Sequence, residues 1–160
     1  MNMPVKRATS VIALCLLAAC GKEPVSPAAS TVEQALSGNW HVAGVAVPDT
    51  GVQALADDDP QVMGWRLRFS HDRLEADKRQ GLVDDTCTQP TFQAVASTSD
   101  ADTTAQLRKL GVDQATAYSV ICKSGSWGPS DADTATFFKG VDGTLALRWY
   151  DNGMFKLVRD

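Results

Sequence analysis

The stretch "TLALRWYDNGMFKLVR", Thr144 to Arg159, decides the fold class. Its first half alternates, with Leu145, Leu147 and Trp149 falling on one side. Its second half does the same, with Phe155 and Leu157 set against Lys156. A period of two is the signature of a strand with one face buried and the other wet, which is characteristic of antiparallel sheets. Between the halves, Asp151-Asn152-Gly153 carries the Asn-Gly signal of a tight hairpin. The reading is a β-hairpin pairing residues 144–150 with 153–159.

The same pattern recurs outward from that hairpin. In "MGWRLRFS" Met63, Trp65, Leu67 and Phe69 share one face, and Arg66, Arg68 and Ser70 share the other. "RLEA" follows after Ser-His-Asp as a short returning strand. Further strand candidates are residues 40–47, 91–97, 117–123 and 134–140, with Gly44 as a bulge position. Two helical segments interrupt them. "STVEQALSG" has Ser30 and Glu33 at capping-box spacing and Gly38 near its end. "SDADTTAQLRKLG" starts from Ser99 or Asp100 as cap and stops at Gly111, with acidic residues early and Arg108 and Lys109 late, as the helix dipole favours. Many short strands with turn signals between them read as a mainly β fold: one small antiparallel β-barrel or sandwich with one or two short helices.

The N-terminus has a different character. Lys6 and Arg7 precede about a dozen apolar or small residues, too few for the ~20 that span a membrane. A basic start, a short apolar stretch and small residues before a cut make a secretory signal peptide. Leu17-Ala18-Ala19-Cys20 resembles the lipobox of bacterial lipoproteins. That resemblance implies that the Cys20 sulfur is diacylated, that the chain is cut before it, and that the new amine is acylated. In that family an aspartate after the cysteine marks retention at the inner membrane; Gly21 stands there, which implies the outer membrane, facing the periplasm. The reading is a signal peptide over 1–19, a lipidated cysteine and flexible tether over 20–30, and a single β-rich domain over 31–160. Pro24, Pro27 and the small residues around them make the tether extended and semi-rigid.

Two of the fifteen basic residues leave with the signal peptide, so thirteen stand against nineteen acidic ones and the formal charge falls from −4 to −6. An acidic domain argues against nucleic acid as a partner, since its binders carry basic patches. Cys87 and Cys122 remain as one pair in an oxidising compartment, which points to a structural disulfide; a redox pair or metal ligands are the alternatives.

Gly38-x-Trp40, following a helical turn, resembles the G-x-W at the start of the first strand in lipocalin-type barrels. That resemblance implies that Trp40 packs at the closed end and that Arg159, on the final strand, lies over its indole. The domain is similar to small META-type bacterial lipoproteins as well. Read without either resemblance, Trp40 is a core aromatic.

The sequence holds few signs of catalysis. His41 and His71 are its only histidines, and no G-x-S-x-G, H-E-x-x-H or glycine-rich phosphate loop occurs. No enzyme activity, cofactor or metal site is expected. Acidic groups recur at Asp57, Asp58 and Asp59, at 84–85, and in the two "SDAD" runs at 99–102 and 130–133. None continues as an EF-hand loop. They are solvated loops and a helix start, or an acidic face for a basic protein partner. The stretch "KSGSWGPSD" resembles the S-G-x-x-Y loop of periplasmic lysozyme-inhibitor lipoproteins, although Trp127 follows Gly125 by two and no tyrosine completes the motif. Ser124, Gly125 and an exposed Trp127 would make a binding anchor, aromatic anchors being enriched at interfaces; the alternative is Trp127 folded back as a lid on the core.

The function expected from the sequence is a non-enzymatic binding protein in the envelope, held to the membrane by its N-terminal lipid, with an inhibitor or immunity protein for a hydrolase as the concrete form. A lipocalin-like carrier of a small apolar ligand and a structural or assembly lipoprotein are the alternatives. An exposed Trp127 favours the first, a cavity lined by Trp65 and Phe69 the second, and neither leaves the third.

Overall fold

A computed structural model describes residues 27–76, 85–96, 100–112, 114–129 and 135–160. The segment read as a signal peptide, Cys20, most of the segment read as a tether, Asp84 and the second "SDAD" run lie outside the described residues. The elements run in the order α1 (Pro27–Leu36), β1 (Gly38–Ala46), β2 (Arg66–Phe69), β3 (Arg73–Ala76), β4 (Thr86–Ala94), α2 (Ala101–Lys109), β5 (Thr116–Gly125), β6 (Phe137–Lys139), β7 (Leu145–Arg148) and β8 (Met154–Arg159). Each strand pairs antiparallel with the next, and β8 returns to β1, closing an eight-stranded barrel. Closure removes the open edges that a sandwich of these strands would leave.

The 144–159 hairpin forms as β7 and β8, with Leu145 opposite Leu157 and Leu147 opposite Phe155. Its turn sits one residue earlier than the Asn-Gly signal suggests. Asp151 and Asn152 hold the two left-handed positions (φ 54° and 56°), and the Gly153 amide donates to the Tyr150 carbonyl. Two consecutive left-handed residues match the strand twist, and Asp and Asn tolerate that conformation better than other side chains.

Other elements differ at their boundaries. α1 begins at Pro27, so Ser30 lies inside the helix rather than capping it, and residues 27–30 belong to the helix rather than the tether. Proline suits a first helical position, where its missing N–H leaves nothing unpaired. β4 starts at Thr86, five residues before the expected 91. The left-handed Gln89 (φ 47°) and the proline that follows it break the alternation, so that Cys87 and Phe92, an odd number of residues apart, are both buried. Met63 lies in the turn before β2 and is partly exposed, so it is not on the Trp65 face. At Gly44 the β1–β8 register shifts, the bulge expected there.

Two apolar clusters hold the fold. The larger fills the barrel with Trp40, Trp65, Leu67, Phe69, Phe137, Trp149 and Phe155 among others. Edge-to-face rings occupy it: Phe69 meets Phe137 at 5.6 Å, and Trp65 meets Phe155 at 5.9 Å. Val32 and Leu36 bring α1 into this cluster. The smaller cluster lies on the other side of the strands, where Leu107 and Leu110 of α2 pack with Ala46, Ala117, Phe138, Ala146 and Met154. Asp100 caps α2, accepting the Thr103 amide at 2.7 Å. The Cys87–Cys122 disulfide joins β4 to β5.

At the end where β1 starts, the Trp40 indole donates to the Leu36 carbonyl at 2.7 Å. The Arg159 guanidinium stands 4.4 Å from the indole centroid and donates to the Ser37 and Ala35 carbonyls. Gly38 is required there: its φ is +139°, and a Cβ would lie 2.5 Å from an Arg159 nitrogen. α1 and the last residue pair thus close one end of the barrel. The connections β1–β2, β3–β4, β5–β6 and β7–β8 all emerge at the other.

Candidate functional site

The barrel end opposite α1 gathers the polar groups. β1 outruns its partner: the last β2 residue paired with it is Arg66, opposite His41. Beyond that point the aspartates of the β1–β2 loop replace a strand. Asp58 accepts the Val45 amide at 3.1 Å, and Asp57 accepts the Val47 amide at 2.8 Å. Asp59 is buried and accepts the amides of Ala56 and Gln61, pinning its own turn. The three aspartates expected to form a partner-facing acidic surface therefore spend carboxylate oxygens on backbone amides, Asp57 and Asp58 on the unpaired edge at the end of β1 and Asp59 on its own loop. Only Asp57 also reaches outward. With Asp49 it clamps the Lys109 ammonium of α2 at 3.0 and 2.7 Å, while that ammonium donates to the Val47 carbonyl. The Val47 amide and then Lys109 hold the Asp57 carboxyl below the usual carboxylate range, and Asp49 and Asp57 raise Lys109.

Trp127 is fully buried, so of its two readings the lid on the core holds and the exposed partner-binding anchor does not. It packs edge to face on Phe69 and on Trp149, at 5.6 and 5.7 Å. The segment after β5 folds inward because buried Asp85 accepts the Gly128 amide at 3.2 Å and the Tyr150 hydroxyl at 3.2 Å. One carboxylate thereby ties three of the four connections at this end. Burial, and then that hydrogen bond, push the Tyr150 phenol up to about 12.

Ser124 and Gly125 remain exposed at the end of β5. The Ser124 hydroxyl and carbonyl both engage Thr88 Oγ1. Gly125 (φ +81°) is demanded by packing, since a Cβ there would lie 1.9 Å from the Thr86 carbonyl. Ser124 borders an open groove with Asp72, Arg73, Thr88, Gln89 and Lys123. These residues belong to the β3–β4–β5 side, whereas Asp57 faces α2. The structure does not unite them in one site.

It assembles a different one. A groove of about 460 Å³ runs between the first turn of α2 (Asp100, Asp102, Thr103, Gln106), the β1–β2 loop (Pro48, Thr50, Gln53), Pro129, and Arg148 to Asn152. Gln106 pins it by donating to the carbonyls of Ala46 and Asn152, at 3.0 and 2.6 Å. Arg148 donates to Thr103 at 2.6 Å and lies over the Phe138 ring, while its buried Nε finds no hydrogen-bond partner among the described residues. The buried hydroxyls of Ser119 and Thr136 are also unpartnered among the described residues. The sequence reading missed this groove. "SDAD" at 99–102 read as a helix start and Arg148 as the wet face of a strand, and only the packing of α2 on the barrel brings them together.

The histidines are apart. His41 Nδ1 pairs with Asp160 at 2.7 Å, and the exposed His71 lies 3.5 Å from Glu33. Neither hydrogen-bonds a serine or cysteine among the described residues. No helix among the described residues is long and apolar enough to cross a membrane. No protein-family model, curated protein or solved structure matches the chain.

Proposed function

We propose that this chain is a lipid-anchored protein of the bacterial envelope, facing the periplasm from the outer membrane, that acts by binding another envelope protein. Its concrete form is an inhibitor or immunity partner of a basic, wall-degrading hydrolase. One observation carries the reading: acidic groups gather at the barrel end opposite α1. α1, the described element nearest Cys20 in sequence, closes one end of the barrel. The other end carries Asp49, Asp57, Asp100, Asp102 and Asp151 against Lys109 and Arg148. An acidic face turned away from the anchoring membrane steers a basic partner toward it and raises its association rate. Lipidation of Cys20 would hold the chain there through its acyl chains, two or more of which give stable anchoring.

Trp65 packs on the Phe155 ring and Phe69 on the Phe137 ring inside the barrel, which weighs against carriage of an apolar ligand there. The burial of Trp127 favours a second reading, an assembly lipoprotein that docks a membrane complex through the same acidic end. Native mass spectrometry after incubation with envelope extract tests both. A bound basic hydrolase, lost on Asp100→Lys/Asp102→Lys/Asp151→Lys and weakened by salt, supports the inhibitor. A bound membrane-complex subunit supports assembly. A bound mass of a few hundred daltons with no protein overturns both.

A further inference from the structure

We infer that the outer face of β2 and β3, with the end of β5, docks on the phosphate groups of a phospholipid bilayer. The proposed lipidation of Cys20 identifies that bilayer, and the inference adds an orientation to it. The four consecutive strands β2 to β5 carry four cations and one carboxylate: Arg66, Arg68, Arg73 and Lys123 against Glu75. That balance reverses the whole chain's, in which nineteen acidic residues outnumber fifteen basic ones. The alternation that buries Leu67, Phe69 and Leu74 turns the three arginines outward, and Lys123 is exposed beside them. Arg66 lies opposite His41, Arg68 opposite Glu75, and Arg73 opposite Thr88, so the arginines form one continuous patch. Between Arg73 and Lys123 an open groove of about 460 Å³ presents the hydroxyls of Thr88 and Ser124, which are donors for a phosphate oxygen. Its one carboxylate, Asp72, accepts the Ser70 hydroxyl at 2.8 Å.

Reach and composition choose the bilayer as the occupant. α1 begins at Pro27, so only six residues (21–26) separate it from Cys20, and a chain that short extends at most about 25 Å. Acyl chains on Cys20 would therefore hold the barrel against the bilayer, and the charges select the flank that meets it. The patch starts beside α1, where His71 of the β2–β3 turn lies 3.5 Å from Glu33. Two of the five large apolar side chains exposed among the described residues border it: Val158, opposite His41, and Ile121, two residues before Lys123. Cations with apolar residues at their margin characterise segments that settle at the headgroup boundary. Asp57, Asp100 and Asp102 lie on the α2 flank, which packs over β6, β7 and β8. That is a barrel's width away, further than the ~8 Å over which charges act in physiological salt. Lipid phosphates thus attract β2 and β3 without meeting those carboxylates, and the acidic flank is left open to the proposed partner.

The test takes the full chain as isolated from envelope membranes. Intact mass first shows whether Cys20 carries acyl chains, which tests the anchor by itself. The acylated chain is then placed in bilayers of phosphatidylethanolamine and phosphatidylglycerol doped with a gadolinium-chelating headgroup, and the broadening of its backbone amides is read. The amides of Arg66, Arg68, Arg73 and Lys123 should broaden most and those of α2 least. Arg66→Glu/Arg68→Glu, at exposed positions, should abolish that contrast with the urea midpoint unchanged. Uniform broadening, or broadening greatest at α2, overturns the inference and leaves the anchor standing. A chain without acyl mass overturns the anchor, and the face is then read by co-sedimentation with phosphatidylglycerol vesicles. Binding that high salt removes, and that Arg66→Gln/Arg68→Gln weakens about 25-fold at about fivefold per cation, supports the inference. Absence of binding, or a face that takes up oligoglutamate and neither bilayer, overturns it, the latter in favour of an acidic protein.

Discussion

The guanidinium of Arg159, the penultimate residue, lies 4.4 Å from the centre of the Trp40 indole, and donates to the two carbonyls, Ala35 and Ser37, that lead from α1 into β1. One side chain thus joins the last strand, the first strand and the N-terminal helix. Its charged hydrogen bonds and cation–π contact are partly solvated, so Arg159→Ala should destabilise the protein by about 1–2 kcal/mol in urea unfolding. Arg159→Lys should recover less than half of that, since an ammonium cannot span both carbonyls while lying flat on the ring. Gly38→Ala should cost at least as much, because the Cβ would displace the same guanidinium.

Trp127 serves as a second gauge of the fold. It is fully buried among Phe69 and Trp149, so Trp127→Ala should cost about 3–5 kcal/mol and alter the near-ultraviolet circular dichroism. An exposed anchor would cost well under 1 kcal/mol and leave that spectrum as it was.

The Cys87–Cys122 bond spans a sequence separation of 35 and holds β4 to β5 across the α2 insertion. Loop-closure entropy puts its contribution at roughly 3–4 kcal/mol. The Cys87→Ser/Cys122→Ser protein should unfold at a correspondingly lower urea midpoint, and dithiothreitol should lower the natural protein's midpoint without affecting the double variant.

Acid should release the β1–β2 loop. The Asp57 carboxyl is held low by the Val47 amide and then by Lys109. A group depressed in the folded state stabilises above its unfolded pKa, about 3.9, and that stability is lost as pH falls through the lower folded value. Stability measured against pH should therefore fall below about pH 4, and Asp57→Asn should flatten the fall. An equally steep fall in the variant would refute the assignment.

Tyr150 sets the alkaline side. Its phenol is pushed up to about 12 by burial and by Asp85. A raised pKa gives stability that is complete below the unfolded value, about 10, and lost as pH rises toward the folded one. In a Tyr118→Phe background, phenolate absorbance should appear only near pH 12. In that background Asp85→Asn should bring it in at lower pH.

Much of this was legible in the residues. Leu145, Leu147, Phe155 and Leu157 alternate because a pleated strand shows every second side chain to the core, and that period needs no partner to be read. Asp100 and Gly111 bracket α2 because helix ends leave backbone groups that specific residue types satisfy locally. The Cys87–Cys122 pairing followed from the two cysteines left once Cys15 and Cys20 are assigned to the signal peptide and the lipid.

Other features depended on contacts that no local pattern encodes. Period two says that a strand has an inner face, but not that β8 returns to β1, so barrel and sandwich were equal until Trp40 met Arg159 and Ala46 met Met154. Loops carry no period at all. Asp57, Asp58 and Asp59 looked like a solvated acidic run; Asp57 and Asp58 turn toward the end of β1, where β2 is too short to pair its edge, and Asp59 turns into its own loop. Trp127 read as either a loop anchor or a lid, and it folds inward because Asp85, at a separation of 43 from Gly128, accepts the Gly128 amide. The sequence by itself determined most of the strands and the capped helix, which rest on neighbours along the chain, and the cysteine pair, which rests on which cysteines are left over. Closure, the filled interior, and the groove that sets Asp100 against Arg148 were decided only in three dimensions, where burial and unpaired backbone groups choose among loop conformations that the local sequence leaves equal.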